Sequence, residues 1–384
     1  MEKYFAPCPR GLEGALATEL GTLGAGAIVP TDGGVGFTGA LDLAYRANLE
    51  SRLASRVLWR VGDGAYRDER DIYALAFELD WPRWFRADRT LRVDVAATRS
   101  PLQSLEFTTL RIKDAVCDRH RAACGKRPNI SKDQPDVRVH AYLTADRATF
   151  YLDTSGPPLF KRGYRRETAE APLRENLAAG LLRLADWKPG LPLLDPLCGS
   201  GTIVVEAALI ALDIAPGLKR TFGFQKLAWY DGPTWQRIKQ AAQRRMLTAV
   251  PALIYASDDD AQAVARCGAN LAAAGVAAAV VVERASALAR PAPAPAGVIV
   301  SNPPYGVRLA DAAELAAFYP RLGDALKQHF AGWTAYLFSA DTRLPKLIGL
   351  KASRRTPLYN GALECRLYEY RLIAGSARTG AMIR

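Results

Sequence analysis

The chain has 384 residues, 49% hydrophobic and 23% charged, and 51 Lys and Arg against 39 Asp and Glu give a formal charge of +12. That length suits two or three domains, and the composition is that of a globular protein and excludes a disordered or fibrous chain. No apolar run reaches the roughly 18 to 20 residues of a membrane span, and the N-terminus lacks a signal-peptide plan, so a cytoplasmic protein without a membrane partner is expected; its positive charge points to a polyanion.

From the N-terminus, Gly11 to Leu23 carries an apolar helical stripe at Leu12, Ala15, Leu16, Leu20 and Leu23. Gly33 to Gly39 reads as a turn and short strand, Ala40 to Leu53 as a helix, and Val57 to Val61 as a strand, together a small α+β unit. The scheme repeats with a helix over Asp71 to Leu79, a strand over Leu91 to Val95 and a helix over Thr108 to Ala123. Val137 to Leu143 and Ala148 to Asp153 then form a predicted hairpin, and Ser155-Gly156-Pro157-Pro158 closes the region. Arg111, Lys113, Arg119, Arg121, Lys126, Arg127 and Lys132 make a first basic cluster, Lys161-Arg162-Gly163-Tyr164-Arg165-Arg166 a second, and Arg343, Lys346, Lys351, Arg354 and Arg355 a third. Clustering of this kind favours a nucleic acid. The six cysteines include no C-x-x-C pair; Cys117, His120 and Cys124 share a helical face but lack a fourth ligand, so no metal is expected.

From about residue 172 the pattern becomes α/β. Strands are predicted at Leu191 to Asp195, Leu253 to Asp258, Val280 to Val282 and Gly297 to Ser301, with helices at Thr202 to Leu212 and Ala261 to Ala274. A helical insertion over about 216 to 247 separates the first two strands, and Pro291 to Ala296 is a connector. The alternation implies a doubly wound, mostly parallel sheet with its ligands at the strand C-termini.

Two segments carry chemistry. Asp195-Pro196-Leu197-Cys198-Gly199-Ser200-Gly201-Thr202 follows a strand and opens a helix. Its glycines let a ligand approach the backbone and the helix aims free N–H groups at it, although neither a P-loop nor a full dinucleotide fingerprint is present. Asp258, ending the second strand, can accept from two ribose hydroxyls. Asp259 and Asp260 compete for that role or cap the following helix, and Ser286 is a candidate for an adenine edge or an ordinary loop serine. The second segment is Ser301-Asn302-Pro303-Pro304-Tyr305-Gly306. An exocyclic base amine is a poor nucleophile because its lone pair is delocalised. The Asn302 side-chain oxygen and the Pro303 carbonyl can each accept one of its N–H groups, while Tyr305 offers a ring for an extruded base. This chemistry is positioning and electrostatics, with no covalent intermediate.

With both motifs placed, the chain resembles rRNA guanine-N2 methyltransferases carrying an N-terminal THUMP domain, and most closely the bacterial 23S rRNA members making N2-methylguanosine. The resemblance runs nearly end to end and includes Lys161 to Arg165, Ala171 to Ala179, Asp195 to Ala207, Ser301 to Leu309 and Leu358 to Glu364, the last of which reads by itself only as a turn. It implies a Rossmann-like doubly wound methyltransferase domain at 172–384 using S-adenosylmethionine (SAM), after a ferredoxin-like domain at 1–65, a THUMP RNA-binding domain at 66–155 and a linker at 156–171. It implies cofactor contacts at Arg174, Asp195, Pro196, Cys198, Gly199, Ser200, Gly201, Thr202, Asp258 and Ser286, although relatives often carry an acid at the last position. Catalysis is expected at Asn302, Pro303, Pro304 and Tyr305, and RNA contacts at Arg111, Lys113, Lys126, Arg127, Lys161, Arg162 and Arg165. Some similar enzymes are fused to a second methyltransferase making 7-methylguanosine; with the chain ending at Arg384, that activity is expected to be absent. The competing readings are a tRNA guanine-N2 methyltransferase, an adenine-N6 DNA methyltransferase sharing the Asn-Pro-Pro-Tyr logic, and a non-catalytic RNA-binding assembly factor.

Overall fold

The computed structural model describes residues 1–165, 173–249, 253–304 and 309–373. The chain forms two units, one made of Met1–Cys8, Leu16–Leu159 and Gly217–Ala241, the other of Pro9–Ala15, Phe160–Pro216 and Ala242–Arg384.

In the first stretch the elements are β1 (Glu2–Pro7), α1 (Glu13–Thr22), β2 (Gly26–Thr31), β3 (Gly34–Gly39), α2 (Leu41–Glu50), β4 (Leu58–Ala65), α3 (Glu69–Glu78), α4 (Trp81–Trp84), β5 (Leu91–Ala97), α5 (Leu105–Cys124), β6 (Val137–Leu143) and β7 (Arg147–Asp153). The strands pair as one seven-stranded sheet in the order β2-β3-β1-β4-β7-β6-β5. The two expected N-terminal modules are therefore joined by main-chain hydrogen bonds, with Leu58 opposite Asp153 at one end of the β4–β7 pair and Ala65 opposite Arg147 at the other. The predicted hairpin is β6–β7, antiparallel, while β5 and β6 are parallel. Helix α5 starts where the Ser104 hydroxyl accepts from Phe107 N–H and stops at Gly125, whose φ of 71° is left-handed. Its Ile112, Ala115, Val116 and Cys117 are buried.

The basic helix carries its charge on the other face. The buried end of β7 is held by ionic contacts: Asp153, shielded from water, is paired with Arg56 and accepts from Ser155 N–H at 2.8 Å. Residues 217–241 add an aromatic nest to this unit. The Tyr45 ring stacks on Trp229 with centroids 5.3 Å apart and lies 4.5 Å from Phe224, while Trp59 meets Trp229 edge-on at 5.4 Å. Apolar area of that size, about 150 to 250 Å² per aromatic side chain, is a strong reason for the segment to stay.

The rest of the chain supplies α6 (Glu175–Leu184), β8 (Leu193–Asp195), α7 (Thr202–Ala211), α8 (Gly232–Arg245), β9 (Ile254–Asp258), α9 (Ala261–Ala274), β10 (Val280–Arg284), β11 (Val298–Ser301), α10 (Leu309–His329), β12 (Thr334–Ser339), α11 (Leu344–Leu347), β13 (Arg354–Asn360) and β14 (Leu363–Arg371). The sheet order is β10-β9-β8-β11-β12-β14-β13. Pairing is parallel from β10 to β12 and antiparallel from there outward, so the sheet is mixed. Strands β8 and β11 are wholly buried, as expected for central strands covered on both faces. Part of the core comprises Leu194, Ile299, Tyr319, Leu322, Leu326, Trp333, Leu337 and Tyr370.

The sequence pattern predicts β8, β9, β10 and β11 but gives no signal for β12, β13 and β14. Its isolated turn at Leu358 to Glu364 is the tip of the β13–β14 hairpin, where Asn360 faces Leu363 across Gly361 and Ala362. After β8 the chain runs to β9 on one side, and later to β11 on the other. That reversal opens a crevice beyond the C-termini of β8 and β11.

Candidate active site

Residues Pro196 to Gly201 connect β8 to α7 across the mouth of this crevice. Gly199 has φ of 53° and an added Cβ would meet no heavy atom within 4 Å, so this side of the turn is open to a ligand. Gly201 has φ of 80° for a different reason: a Cβ there would lie 2.4 Å from Cys267 Sγ on α9. No side chain caps α7 at Gly201, and the first N–H groups of a helix are donors that a ligand can use. The turn is held by its neighbours. Cys198 N–H donates to Ser257 O at 3.0 Å, Gly199 N–H to Asp258 Oδ2 at 2.9 Å, and Asn270 Nδ2 to Ser200 O at 2.9 Å. Asn270 is a site residue that sequence reasoning missed, since an asparagine inside a helix gives no local signal of a partner in a distant turn.

Asp258 is half-buried, and its other oxygen accepts from Asp260 N–H at 3.1 Å. Asp260 itself caps α9 through Gln262 and Ala263 N–H. Ser286 is engaged in a turn, its hydroxyl accepting from Leu288 N–H at 3.3 Å and its carbonyl from Ala289 and Arg290. Cys198 and Thr202 are buried in the wall of the turn with Pro196, Ser200 is half-buried, and Arg174 is exposed with its guanidinium 5.0 Å above the Phe160 ring.

Asp195 is 2% exposed, and its Oδ1 accepts from Ser301 Oγ at 2.7 Å and from Leu197 N–H at 3.3 Å. Burial pushes its carboxyl up to about 7, the charge of Asp258 adding to the effect and the two hydrogen bonds opposing it. Beyond Ser301, Asn302 is half-buried, and its Oδ1 is cut off from water with no hydrogen-bond partner among the described residues. A buried amide oxygen left unpaired costs on the order of 1–3 kcal/mol, which an N–H donor reaching it would recover. Pro303 is buried and Pro304 exposed. Tyr305 lies outside the described residues. These atoms fit a cofactor held by backbone N–H groups and a carboxylate, beside an amide oxygen unpaired among the described residues.

Two of the expected RNA contacts, Arg162 and Arg165, are largely withdrawn from solvent. Arg162 and Arg165 are packed inside their unit against carboxylates. Arg162 Nε lies 3.5 Å from Glu206 Oε1 on α7, which also accepts from Tyr164 Oη at 3.3 Å. Arg165 donates to Leu173 O at 2.9 Å and Thr202 Oγ1 at 3.0 Å, with Glu175 3.6 Å away. A charge run in sequence does not distinguish solvated arginines from buried ones, and here the nearby acids, Glu175 and Glu206, are what pull them in. Lys126, Arg127 and Lys161 are exposed. Arg111 lies 4.5 Å over the Tyr73 ring, and Lys113 is 2.9 Å from Asp114. In the third cluster, Arg343 pairs with Asp341 and Arg354 with Glu369, which lowers its net charge. His120 is buried against Phe85, and Cys117 Sγ lies 3.9 Å from Pro128 O. Among the described residues no helix is long and apolar enough to cross a membrane.

Comparison with known families matches residues 162–369 to the RMKL-like methyltransferase domain, 66–153 to the THUMP domain and 3–58 to the RlmL ferredoxin-like domain. The chain is 38% identical over 396 residues to the ribosomal RNA large subunit methyltransferase K/L of Aeromonas hydrophila, covering 98% of this chain and 55% of that one. It thus spans about half the length of the curated relatives it matches. Among solved structures, SMU.472, named as a methyltransferase and complexed with SAH, superposes with a TM-score of 0.88 at 29% identity over 96% of this chain and 98% of that one. A chain from Listeria monocytogenes named for N6-adenine-specific DNA methylation gives 0.88 and 29% over 96% of each.

The buried Asp195 carboxyl sets a pH dependence. Its folded-state pKa, about 7, stands above the roughly 3.9 of an unfolded aspartate. A raised acid binds its proton more tightly when folded, so its contribution is fully present below the unfolded value and is lost as pH rises through 7. The difference corresponds to at most about 4 kcal/mol. Denaturant unfolding of the ligand-free chain between pH 5 and 8 should therefore show falling stability, and Asp195→Asn, which keeps an acceptor for Ser301, should flatten that fall. Equal slopes in the two proteins would place the titration elsewhere.

Proposed function

The chain belongs to the family of the RMKL-like methyltransferase domain, and from that premise we propose that it transfers a methyl group from SAM to the exocyclic N2 of a guanine in large-subunit rRNA. The observation that carries the reading is the Asn302 Oδ1, buried and unpartnered among the described residues at the C-terminal end of β11, next to two prolines whose backbone offers acceptors only. In this proposal the Pro196 to Gly201 turn, the first N–H groups of α7, Asp195 and Asp258 hold the cofactor, with Arg174 and Ser286 at its edges. When bound, SAM supplies an electrophilic methyl on a sulfonium.

The protein's share is to prepare the nucleophile. Asn302 Oδ1 and Pro303 O each take one N–H of the guanine amine, which turns its lone pair out of conjugation and toward the methyl. Tyr305 is proposed to stack on the extruded base. Residues 1–65 and 66–155 are assigned as ferredoxin-like and THUMP modules that present RNA, 156–171 as the linker and 172–384 as the catalytic domain. RNA contacts are proposed at Lys126, Arg127 and Lys161, which are exposed, and at Arg111 and Lys113. The name carried by the Aeromonas relative supports large-subunit rRNA as substrate, and that of the Listeria structure supports adenine in DNA. The THUMP match favours RNA.

Methyl transfer from labelled SAM to unmethylated 23S rRNA, tRNA and duplex DNA, with nucleoside analysis, tests the reading. N2-methylguanosine in 23S rRNA is expected; the same product in tRNA would move the substrate, and N6-methyladenine in DNA would overturn the base. Asn302→Ala should lower kcat by about 10²- to 10³-fold while RNA affinity stays within about twofold, whereas parallel losses would sink its role. Replacing Lys126 and Arg127 together by Gln should flatten the dependence of log affinity on log salt by roughly 1.5, about 0.7 to 0.9 for each phosphate that is no longer neutralised. An unchanged slope puts the RNA on another surface.

A further inference from the structure

Pro303 and Pro304 carry no backbone N–H, so hydrogen bonds can tie this part of the motif to the fold only through its carbonyls. If the Pro303 carbonyl is to accept from substrate, as the proposed reaction requires, the tie has to fall on a neighbour. It falls on Pro304, whose carbonyl accepts from Tyr319 Oη at 2.9 Å.

Tyr319 is a poor choice for a residue that only fills space. It is 0% exposed, in a core with Leu322, Leu326, Phe330 and Trp333, and sits one residue before Pro320 in α10. A phenylalanine would bury the same ring without desolvating a hydroxyl, a cost that only a bonded hydroxyl recovers. Burial also pushes the phenol up to about 12, against an opposing hydrogen bond with the Ser339 side chain, so it stays a donor throughout the range in which the protein works. The far side of the ring is held by tightly packed neighbours, which leaves the hydroxyl little freedom to follow a moving carbonyl.

We propose that Tyr319 is a positioning residue for methyl transfer: its hydroxyl pins the Pro304 carbonyl and thereby fixes the Pro303 carbonyl and the Asn302 amide as a rigid acceptor pair. It touches neither substrate nor cofactor and acts through the motif. The inference rests on the reading of Asn302 and Pro303 as acceptors of an amine. Misplacing reacting groups by about 1 Å costs on the order of a hundredfold in rate, which sets the scale of the effect.

Tyr319→Phe in the full chain removes one oxygen and leaves the core volume nearly unchanged. We expect kcat to fall tenfold or more, with KM for SAM and RNA affinity within twofold of the parent and cooperative thermal unfolding retained. A kcat within twofold of the parent overturns the proposal, as does a raised KM for SAM at unchanged kcat. Crystal structures of parent and variant give a readout that needs no activity: the Pro304 carbonyl should shift in the variant, and a carbonyl that stays in place overturns the role. A parent protein that methylates no RNA would overturn the guanine-N2 reading, while the crystallographic comparison would still decide the part played by Tyr319.

Discussion

The hydrogen bond from Ser301 Oγ to Asp195 Oδ1 joins the ends of two neighbouring parallel strands, and the rest of the site is arranged around it. One partner is the last residue of β8, where the glycine turn begins; the other is the last of β11, where the acceptor motif begins. Both are sealed from water, Ser301 at 0% and Asp195 at 2% exposure. A buried polar pair of this kind has no competing solvent, so it fixes distance more firmly than an exposed contact does. The two chemical halves, far apart in sequence, are thereby held at one spacing. The carboxylate is also tuned by the same seclusion, which makes the join sensitive to proton concentration in a way that an apolar contact would not be.

Much of this was legible from residue types alone. A fully apolar run ending in Asp195, a glycine turn and an apolar helix can only be a central strand feeding a helix, and the structure has β8 and α7 there. Alternating patterns revealed β6 and β7, and the acidic end of β9 was visible as Asp258. Three kinds of feature were not legible. The outer strand β14 carries Tyr, Arg and Glu among its apolar residues, so it reads as a mixed segment until β12 offers an edge to pair with. Arg162 and Arg165 looked like surface charge because burial depends on Glu206 and Glu175, which come later in the chain. Tyr319 and Asn270 act on turns distant in sequence, and nothing local marks them.

The basic residues illustrate how charge becomes function only after pairing is subtracted. Of three clusters, one is partly taken up by internal ion pairs at Arg162 and Arg165 and another is offset by Asp341 and Glu369. Just beyond the C-cap of α5, Lys126 and Arg127 lie exposed in the loop that follows, while the helix itself is anchored by Ile112, Ala115 and Val116.

The course of residues 217–241 bears on how such a protein can be taken apart or recombined. Sequence similarity draws a methyltransferase segment that runs straight through them, yet they fold with the N-terminal unit, where Phe222, Phe224, Trp229 and Trp235 nest around Tyr45. Residues Pro9–Ala15 make the reciprocal exchange. A fragment cut at the similarity boundary would carry a bare aromatic surface into water and leave a matching hole behind, an invitation to clumping. Heritable shuffling of modules faces the same obstacle: a recombination joint near residue 160 would separate two halves that each hold part of the other's interior. Such interleaving ties the fates of the two units together over generations, so that neither is readily traded for a foreign counterpart.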